Sequence, residues 1–224
     1  MAAADRPFLS GIILAAGASI RMGRPKQLLP LGDRCLLQHV LDAAVASRLD
    51  EIVLVLGVQA KEVRDVLRLP DERSIRVVVN PDSVQGQSSS LRLGLRSASP
   101  QSVAAGILLG DQPRITRQLI DRMAEAFLAA ESAIVRPMYA GASGRAVPGH
   151  PVFLARRIWP AAEQLEGDEG ARVLISAHPE WVTEIPVEGE PPGDIDTQED
   201  YERAVDTVRG ETIRPSGQIE PGRR

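Results

Sequence analysis

A glycine-rich turn near the N-terminus holds the residues best suited to bind an anion. The apolar run at 11–15 leads directly into AGASIRMGRPKQLLPL, which contains Gly17, Gly23, Arg21 and Lys26. Glycine permits close approach of the backbone, so amides can point at phosphate oxygens while the two cations supply charge. An ordinary turn between a strand and a helix is the alternative. The spacing matches neither the Walker A motif nor the dinucleotide motif GxGxxG.

Acidic side chains suited to a divalent cation occur in two distant segments. Asp111 directly follows the apolar run at 106–110, so its carboxylate is expected at the carboxyl end of a strand. One or two carboxylates, completed by phosphates and water, usually hold Mg²⁺, although a helix cap is the alternative for a single aspartate. The later segment DIDTQED also predicts a plain helix start in its second half, which leaves Asp194 and Asp196 unexplained.

The elements that must position these residues alternate along the chain. Continuous apolar runs of strand length occupy 11–15, 52–57, 75–79, 106–110 and 133–135, and segments of helical spacing occupy 36–46, 59–67, 89–97 and 118–130. Continuous runs are typical of strands buried on both faces, and their alternation with helices predicts βαβ units. We therefore expect an α/β fold with a mainly parallel sheet, helices on both faces and a ligand at the carboxyl edge.

The second half of the chain has a different pattern. A short strand, PVFL, is followed by a helical stretch at 168–177 and by WVTEIPV at 181–187. We interpret this part as an accessory layer that closes over the carboxyl edge of the sheet. One domain is expected over 8–208, and residues 209–224 are predicted to be disordered because they lack hydrophobic periodicity.

The composition excludes several classes of partner. The chain has 224 residues, a formal net charge of -4 and 3% aromatic residues, so it offers neither a basic surface nor a stacking platform for nucleic acid. No apolar run has the roughly 20 residues that a membrane span needs. Cys35 is the only cysteine, which excludes an internal disulfide. We expect a cytoplasmic protein that acts on small molecules.

The sequence LAAGASIRMGRPKQLLPL at 14–31 resembles the motif L-A-[AG]-G-x-S-x-R-M-G-x-x-K-x-L-L-P of the molybdenum cofactor cytidylyltransferase (MocA-like) family, which is related to the MobA-like NTP transferases. Further segments resemble the family in order: GQSSSLRLGL at 86–95, GDQP at 110–113, GHPVF at 149–153, GDEGAR at 167–172 and DIDTQED at 194–200. The resemblance spans residues 11 to about 206. Gln198 replaces the usual proline of the last segment.

The resemblance implies a Rossmann-like sheet of the glycosyltransferase-A type and assigns roles to residues. The implied nucleotide-binding residues are Leu14, Ala15, Ala16, Gly17, Ser19, Arg21, Gly23, Lys26, Gly86 and Ser88. Arg21, Lys26 and Asp111 are the implied catalytic residues, and Asp111 and Asp196 the implied Mg²⁺ ligands, with Asp194 left open. The implied acceptor-binding residues are His150, Gly170 and Arg172.

The implied reaction is the transfer of CMP from CTP onto molybdopterin or its molybdenum-loaded form, with release of pyrophosphate. Ala16 favours CTP, because family members that use guanine nucleotides have glycine there. No general base is needed, since the phosphate of the acceptor is already ionised. The alternatives are another base or acceptor, an oxidoreductase acting on small heterocycles with a nicotinamide cofactor, and a non-catalytic chaperone that hands the cofactor to a molybdoenzyme client.

Overall fold

The computed structural model describes residues 6–17, 25–70, 74–141 and 145–213, with the backbone alone for 210–213. The strands are β1 (Phe8–Ala15), β2 (Pro30–Leu31), β3 (Arg34–Cys35), β4 (Glu51–Leu56), β5 (Ser74–Val79), β6 (Ser102–Leu109), β7 (Ile134–Ala140), β8 (Ala146–Pro148), β9 (Val152–Ala155) and β10 (Val182–Val187). The α-helices are α1 (Leu36–Ala46), α2 (Ala60–Val66), α3 (Gln87–Ser97), α4 (Arg117–Ala129), α5 (Trp159–Ala162), α6 (Ala171–Ala177) and α7 (Gln198–Ile213).

Eight of the ten described strands form one sheet in the order β10-β7-β9-β6-β1-β4-β5, with β8 paired to β7, and β2 and β3 form a separate antiparallel pair. β1 lies between β4 and β6 and is parallel to both. β5 is parallel to β4, and β10 is parallel to β7. Every residue of β4 is buried, as a strand covered on both faces requires. The predicted α/β fold with a mainly parallel sheet is confirmed.

The second half of the chain extends this sheet and does not form a separate layer, so that interpretation was wrong. β9 lies between β6 and β7 and is antiparallel to both. All four of its residues are buried, which follows from a central position in the sheet. The short apolar run PVFL therefore bridges the two halves of the chain through backbone pairing.

The C-terminal helix returns to the N-terminal part of the molecule. A small apolar cluster is formed by Leu29, Leu31, Leu36 and Ile195, with Tyr201, Ala204, Val205 and Val208 packed against it. The Tyr201 hydroxyl donates a hydrogen bond to the carbonyl of Pro30 (2.6 Å). This packing brings the segment before α7 next to the turn after β1, although the two are far apart in sequence.

The last helix runs past residue 208, where the sequence analysis ended the domain. Helix α7 continues to Ile213 and so includes the first residues of the segment 209–224 that was predicted to be disordered. Residues 214–224 lie outside the described part, and the domain boundary stays a prediction. Among the described helices, none is both long and apolar enough to cross a membrane.

Candidate active site

A cavity of about 480 Å³ lies at the carboxyl ends of β1 and β6. Seven of the predicted site residues line it: Leu14, Ala15, Ala16, Gly17, Lys26, Gly86 and Asp111. The cavity is also lined by residues to which the sequence assigned no role, among them Gln27, Ser83, Val84, Gln87 and Asp168. Open α/β sheets bind their ligands at this edge, so the position of the cavity agrees with the fold.

Lys26 joins the two carboxylates that the sequence proposed as a metal pair. Its Nζ lies 2.7 Å from Oδ2 of Asp111 and 2.8 Å from Oδ1 of Asp196. Burial alone would lower the pKa of Lys26, but the two carboxylates outweigh burial and raise the pKa above its usual value. The lysine is therefore a cation at neutral pH, and three residues from three distant segments meet at one point.

Local contacts hold this arrangement at the end of the sheet. Lys26 begins a short 3-10 turn, and the buried Gln27 side chain anchors that turn by donating to the carbonyls of Ala15 (2.9 Å) and Gly17 (3.0 Å). Gly110 packs so closely on Ala15 that an added Cβ would lie 2.7 Å from the alanine Cβ. Glycine at 110 thus lets the chain leave β6 with Asp111 directed toward Lys26.

Asp111 retains capacity for a further partner. Its Oδ1 is buried and has no hydrogen-bond partner among the residues that the structure describes, whereas its Oδ2 contacts Lys26. A buried carboxylate oxygen without a donor is unfavourable unless a cation or water satisfies it. Within the described part of the chain, no three His, Cys, Asp or Glu side chains gather into a complete metal site. The carboxylate oxygens of Asp111 and Asp196 therefore fit a hard cation such as Mg²⁺ that takes its remaining ligands from phosphate and water.

The segment 194–196 is tied to the residues after β6. The amide of Ile195 donates to the carbonyl of Asp111 (3.1 Å), and Nε2 of Gln112 donates to Oδ1 of Asp194 (2.7 Å). Burial raises the pKa of Asp194, with the nearby carboxylates acting in the same direction. Asp194 does not line the cavity that contains Lys26 but a second one, of about 290 Å³. Sequence reasoning left Asp194 open and missed Gln112.

The helix start after this segment agrees with the simpler interpretation of the sequence. The Thr197 hydroxyl accepts from the amide of Asp200 (3.1 Å), and the Asp200 carboxylate accepts from the amide of Thr197 (2.9 Å). This reciprocal arrangement is a capping box, although the acid here is aspartate. The cap is intact although Gln198 replaces the usual proline. The Asp196 side chain takes no part in the cap.

One wall of the cavity is built by two segments that contact each other. Gly86 has a φ of 109°, and a Cβ there would lie 2.2 Å from the backbone of Gly167. The amide of Ser88 donates to the carbonyl of Gly167 (3.1 Å). Ser88 is buried and does not line the cavity, whereas Ser90 does. The close backbone contact explains the glycine at 86, and the Ser88 amide is already used within the protein.

The predicted acceptor residues lie on different parts of the site. Gly170 packs against Gln87, since an added Cβ would lie 2.5 Å from its Oε1. Arg172 is exposed at the start of α6. His150 is half-buried, and burial lowers its pKa to about 4, partly opposed by the charge of Asp111. A neutral imidazole at pH 7 can contact a phosphate by hydrogen bonding but not by ion pairing.

Three predicted nucleotide-binding residues cannot be placed. Ser19, Arg21 and Gly23 lie outside the described residues, in the gap between Gly17 and Pro25. Their roles, including the catalytic role expected of Arg21, stay predictions.

Comparison with known proteins gives a consistent family. Residues 11–181 match the model of the MobA-like NTP transferase domain. The chain is 32% identical to nicotine blue oxidoreductase of Paenarthrobacter nicotinovorans, over 90% of this chain and 98% of that protein. It is 27% identical to molybdenum cofactor cytidylyltransferase of Escherichia coli, over 85% of this chain and 92% of that protein.

A solved structure shares both fold and sequence with this chain. The crystal structure of Rv0371c from Mycobacterium tuberculosis superposes with a TM-score of 0.79 and 32% sequence identity, over 90% of this chain and 99% of the other. A second structure of Rv0371c is a complex with manganese. The family match covers most of the chain and includes the cavity turn and Asp111. The chain therefore belongs to the MobA-like NTP transferase family of nucleotidyltransferases.

Proposed function

We propose that this protein is a Mg²⁺-dependent cytidylyltransferase that transfers CMP from CTP onto a molybdopterin-type acceptor and releases pyrophosphate. The observation that carries the proposal is the contact of one ammonium group, on Lys26, with the carboxylates of Asp111 and Asp196 beside the cavity. A site with one cation and two carboxylates suits a metal-bound triphosphate. The name of the Escherichia coli relative supports the choice of acceptor and nucleotide.

Catalysis in this proposal depends on alignment and charge. Asp111 and Asp196 would hold Mg²⁺, which when bound neutralises negative charge on the phosphates. Lys26 supplies a positive charge at the same place, and the end of β1 with Gly17 provides backbone that a nucleotide can approach closely. An ionised phosphate of the acceptor attacks the α-phosphate in line, so no residue needs to remove a proton.

The preference for CTP rests on Ala16. Its side chain is 6% exposed and lines the cavity, so a glycine at this position would enlarge the space available to a base. One methyl group in an apolar pocket is worth about 1–3 kcal/mol of discrimination. The Ala16→Gly variant should therefore lower the ratio of kcat/KM for CTP to that for GTP by roughly tenfold or more. An unchanged ratio would remove Ala16 from the argument.

The acceptor side of the proposal rests on His150, Gly170 and Arg172. The neutral His150 can donate or accept a hydrogen bond near Asp111, and the exposed Arg172 is available to a phosphate. A molybdoenzyme that receives the finished cofactor is the expected client, and the cytoplasm the expected compartment.

The main rival is an oxidoreductase that uses a nicotinamide cofactor. It is favoured by one observation, the 32% identity to nicotine blue oxidoreductase. In that reading the two carboxylates around Lys26 would have no chemical role. The chain also lacks the GxGxxG motif typical of dinucleotide-binding turns.

A thermal-shift comparison separates these functions. CTP, GTP, ATP and NADPH are each added with and without Mg²⁺, and pyrophosphate release is then measured with CTP and molybdopterin. We expect the largest stabilisation from CTP with Mg²⁺ and pyrophosphate release that needs the acceptor. Stabilisation by NADPH alone, with no pyrophosphate formed, would overturn the proposal in favour of the rival.

A further inference from the structure

We infer that Gln112 and Asp194 are positioning residues: the hydrogen bond between their side chains holds Asp196 opposite Asp111, and Asp194 is not itself a metal ligand. The inference rests on the proposed function, because it concerns the same metal pair. The buried Gln112 thereby has a role in the site, and Asp194, whose role the sequence left open, is a positioning residue.

The position of the Asp196 carboxylate depends mainly on its backbone. Its side chain is 61% exposed and contacts Lys26, and its amide donates to the Asp200 carboxylate (3.3 Å). An exposed side chain at the end of an irregular segment gains its position from the backbone that carries it. The location of the segment 194–196 therefore decides whether the Asp196 carboxylate can share a cation with Asp111.

Contacts on two sides fix the segment 194–196. On one side, the Ile195 side chain is 3% exposed and packs in the small apolar cluster with Leu29, Leu31 and Leu36. On the other side, the Ile195 amide donates to the Asp111 carbonyl. The Gln112–Asp194 hydrogen bond adds a side-chain link directly beside this backbone bond. Together they tie the residues flanking Asp196 to those flanking Asp111.

The Asp194 carboxylate is used for a hydrogen bond within the protein. Its Oδ1 is occupied by the Gln112 amide at 2.7 Å, and the residue lines the second cavity. Gln112 is 5% exposed and uses its side-chain nitrogen for this bond. A buried amide donor is costly to leave unpaired, so the pair is a stable link within the protein. Residues that orient metal ligands in this way commonly change metal affinity when replaced.

Three substitutions separate positioning from ligation. Asp194→Ala removes both the carboxylate and the hydrogen-bond acceptor. Asp194→Asn removes the charge but keeps an acceptor oxygen for Gln112. Gln112→Leu keeps the carboxylate and removes the donor. Glu190→Ala is the matched control for loss of an acid, since Glu190 is exposed and lines the same second cavity as Asp194.

The first measurement is Mn²⁺ binding in the presence of CTP, by calorimetric titration. We expect Asp194→Ala and Gln112→Leu to weaken Mn²⁺ binding by roughly tenfold or more, and Asp194→Asn to lie closer to the wild type. If Asp194 were a ligand, Asp194→Asn would be as weak as Asp194→Ala and Gln112→Leu would bind normally. That order, or equal binding by all variants, would overturn the inference.

The second measurement needs no nucleotide and so separates this inference from the proposed function. Hydrogen exchange of the Ile195 amide reports its bond to the Asp111 carbonyl. It should be faster in Asp194→Ala and Gln112→Leu, and unchanged in Asp194→Asn and Glu190→Ala. Equal protection in all variants would overturn the positioning role even if the enzyme transfers CMP. Failure of the wild type to transfer a nucleotide would overturn the proposed function while the exchange pattern still decides the link.

Discussion

Two acidic residues at opposite ends of the same sheet have opposite surroundings. Glu51 begins β4, is 4% exposed, and its Oε1 accepts from the Ser10 hydroxyl (2.6 Å), the Ser99 amide (2.5 Å) and the Ser102 hydroxyl (3.4 Å). Asp111 follows β6; one of its carboxylate oxygens contacts Lys26, and the other is buried without a partner in the described part of the chain. The first carboxylate is supplied with neutral donors, and the second has an unfilled position.

This difference distinguishes a structural acid from one suited to bind a ligand. A buried carboxylate whose donors all come from the protein has nothing to offer a substrate, and its removal leaves those donors unpaired. A carboxylate that contacts a lysine ammonium through one oxygen and leaves the other oxygen available can accept a metal ion while the fold is kept. Both are acids beside a strand end, so residue type alone does not separate them.

The largest effect is expected at Asp111. The Asp111→Asn variant keeps the size of the side chain but weakens its attraction for Mg²⁺ and for Lys26. Pyrophosphate release should fall by more than about a hundredfold, because loss of a ligand should exceed the loss caused by changing a residue behind it. The melting temperature should change little. Turnover close to that of the wild type would contradict the metal role of Asp111.

Lys26→Met should affect two measurements in opposite directions. Turnover should fall by about a hundredfold, since one preorganised positive charge near the phosphates is lost. Mn²⁺ binding to the nucleotide-free protein should become tighter, because the two carboxylates lose the ammonium that neutralises them. Lys61→Met is the matched control, as Lys61 is an exposed lysine that pairs with Asp65 on α2. Unchanged Mn²⁺ affinity in Lys26→Met would argue against a shared site.

Glu51→Ala should show the reverse profile, with stability lost and chemistry kept. The Ser10 and Ser102 hydroxyls also hydrogen-bond to each other, so removing the carboxylate leaves one of these hydroxyls and the Ser99 amide without an acceptor. The free energy of unfolding, from urea titration, should fall by about 3 kcal/mol. Turnover per folded molecule should stay at the wild-type value. Glu51→Gln retains one acceptor oxygen and should recover part of the lost free energy of unfolding. A drop in the turnover of folded Glu51→Ala would contradict the assignment of Glu51 as a structural acid.

The sequence predicted the fold where local pattern is enough. The run at 11–15 lies within β1, and the helix expected at 118–130 is seen at Arg117–Ala129. The strand PVFL was predicted and is seen as β9, but its place between β6 and β7 was not predicted, because a short apolar run does not show which strands it pairs with. Pairing partners are fixed by packing between segments that are far apart in the chain, and no local period records them.

The candidate site was predictable in its residues more than in its links. Lys26, Asp111 and Asp196 were named from motifs, and the structure brings them together. The link between Gln112 and Asp194 had no sequence signal, because a glutamine after an aspartate has many possible partners. The anchoring of Gln27 was also hidden, since its acceptors are backbone carbonyls that any residue would present.

The smallest effect is expected at His150, on the pH dependence of stability. His150 is a titratable group near Asp111, and burial keeps it neutral. Burial lowers the pKa of His150 to about 4 from its ordinary value of 6.5. As pH falls below 6.5, the unfolded chain takes up a proton that the folded protein refuses until about pH 4. Stability is therefore lost across this window, with a slope of at most about 1.4 kcal/mol per pH unit.

The His150→Gln variant should flatten that slope when urea unfolding is measured from pH 6.5 to pH 4 without divalent metal. Absence of metal matters because the charge of Asp111 opposes the effect of burial on His150. His178→Gln controls for the loss of an imidazole as such, since His178 stacks on Trp181 outside the site. Equal slopes in wild type and His150→Gln would mean that His150 is protonated as easily in the folded protein as in the unfolded chain. Its imidazole could then pair with a phosphate as a cation. His150 would then be a charged group available to a ligand, as Lys26 is, and not a group used within the protein, as Glu51 is.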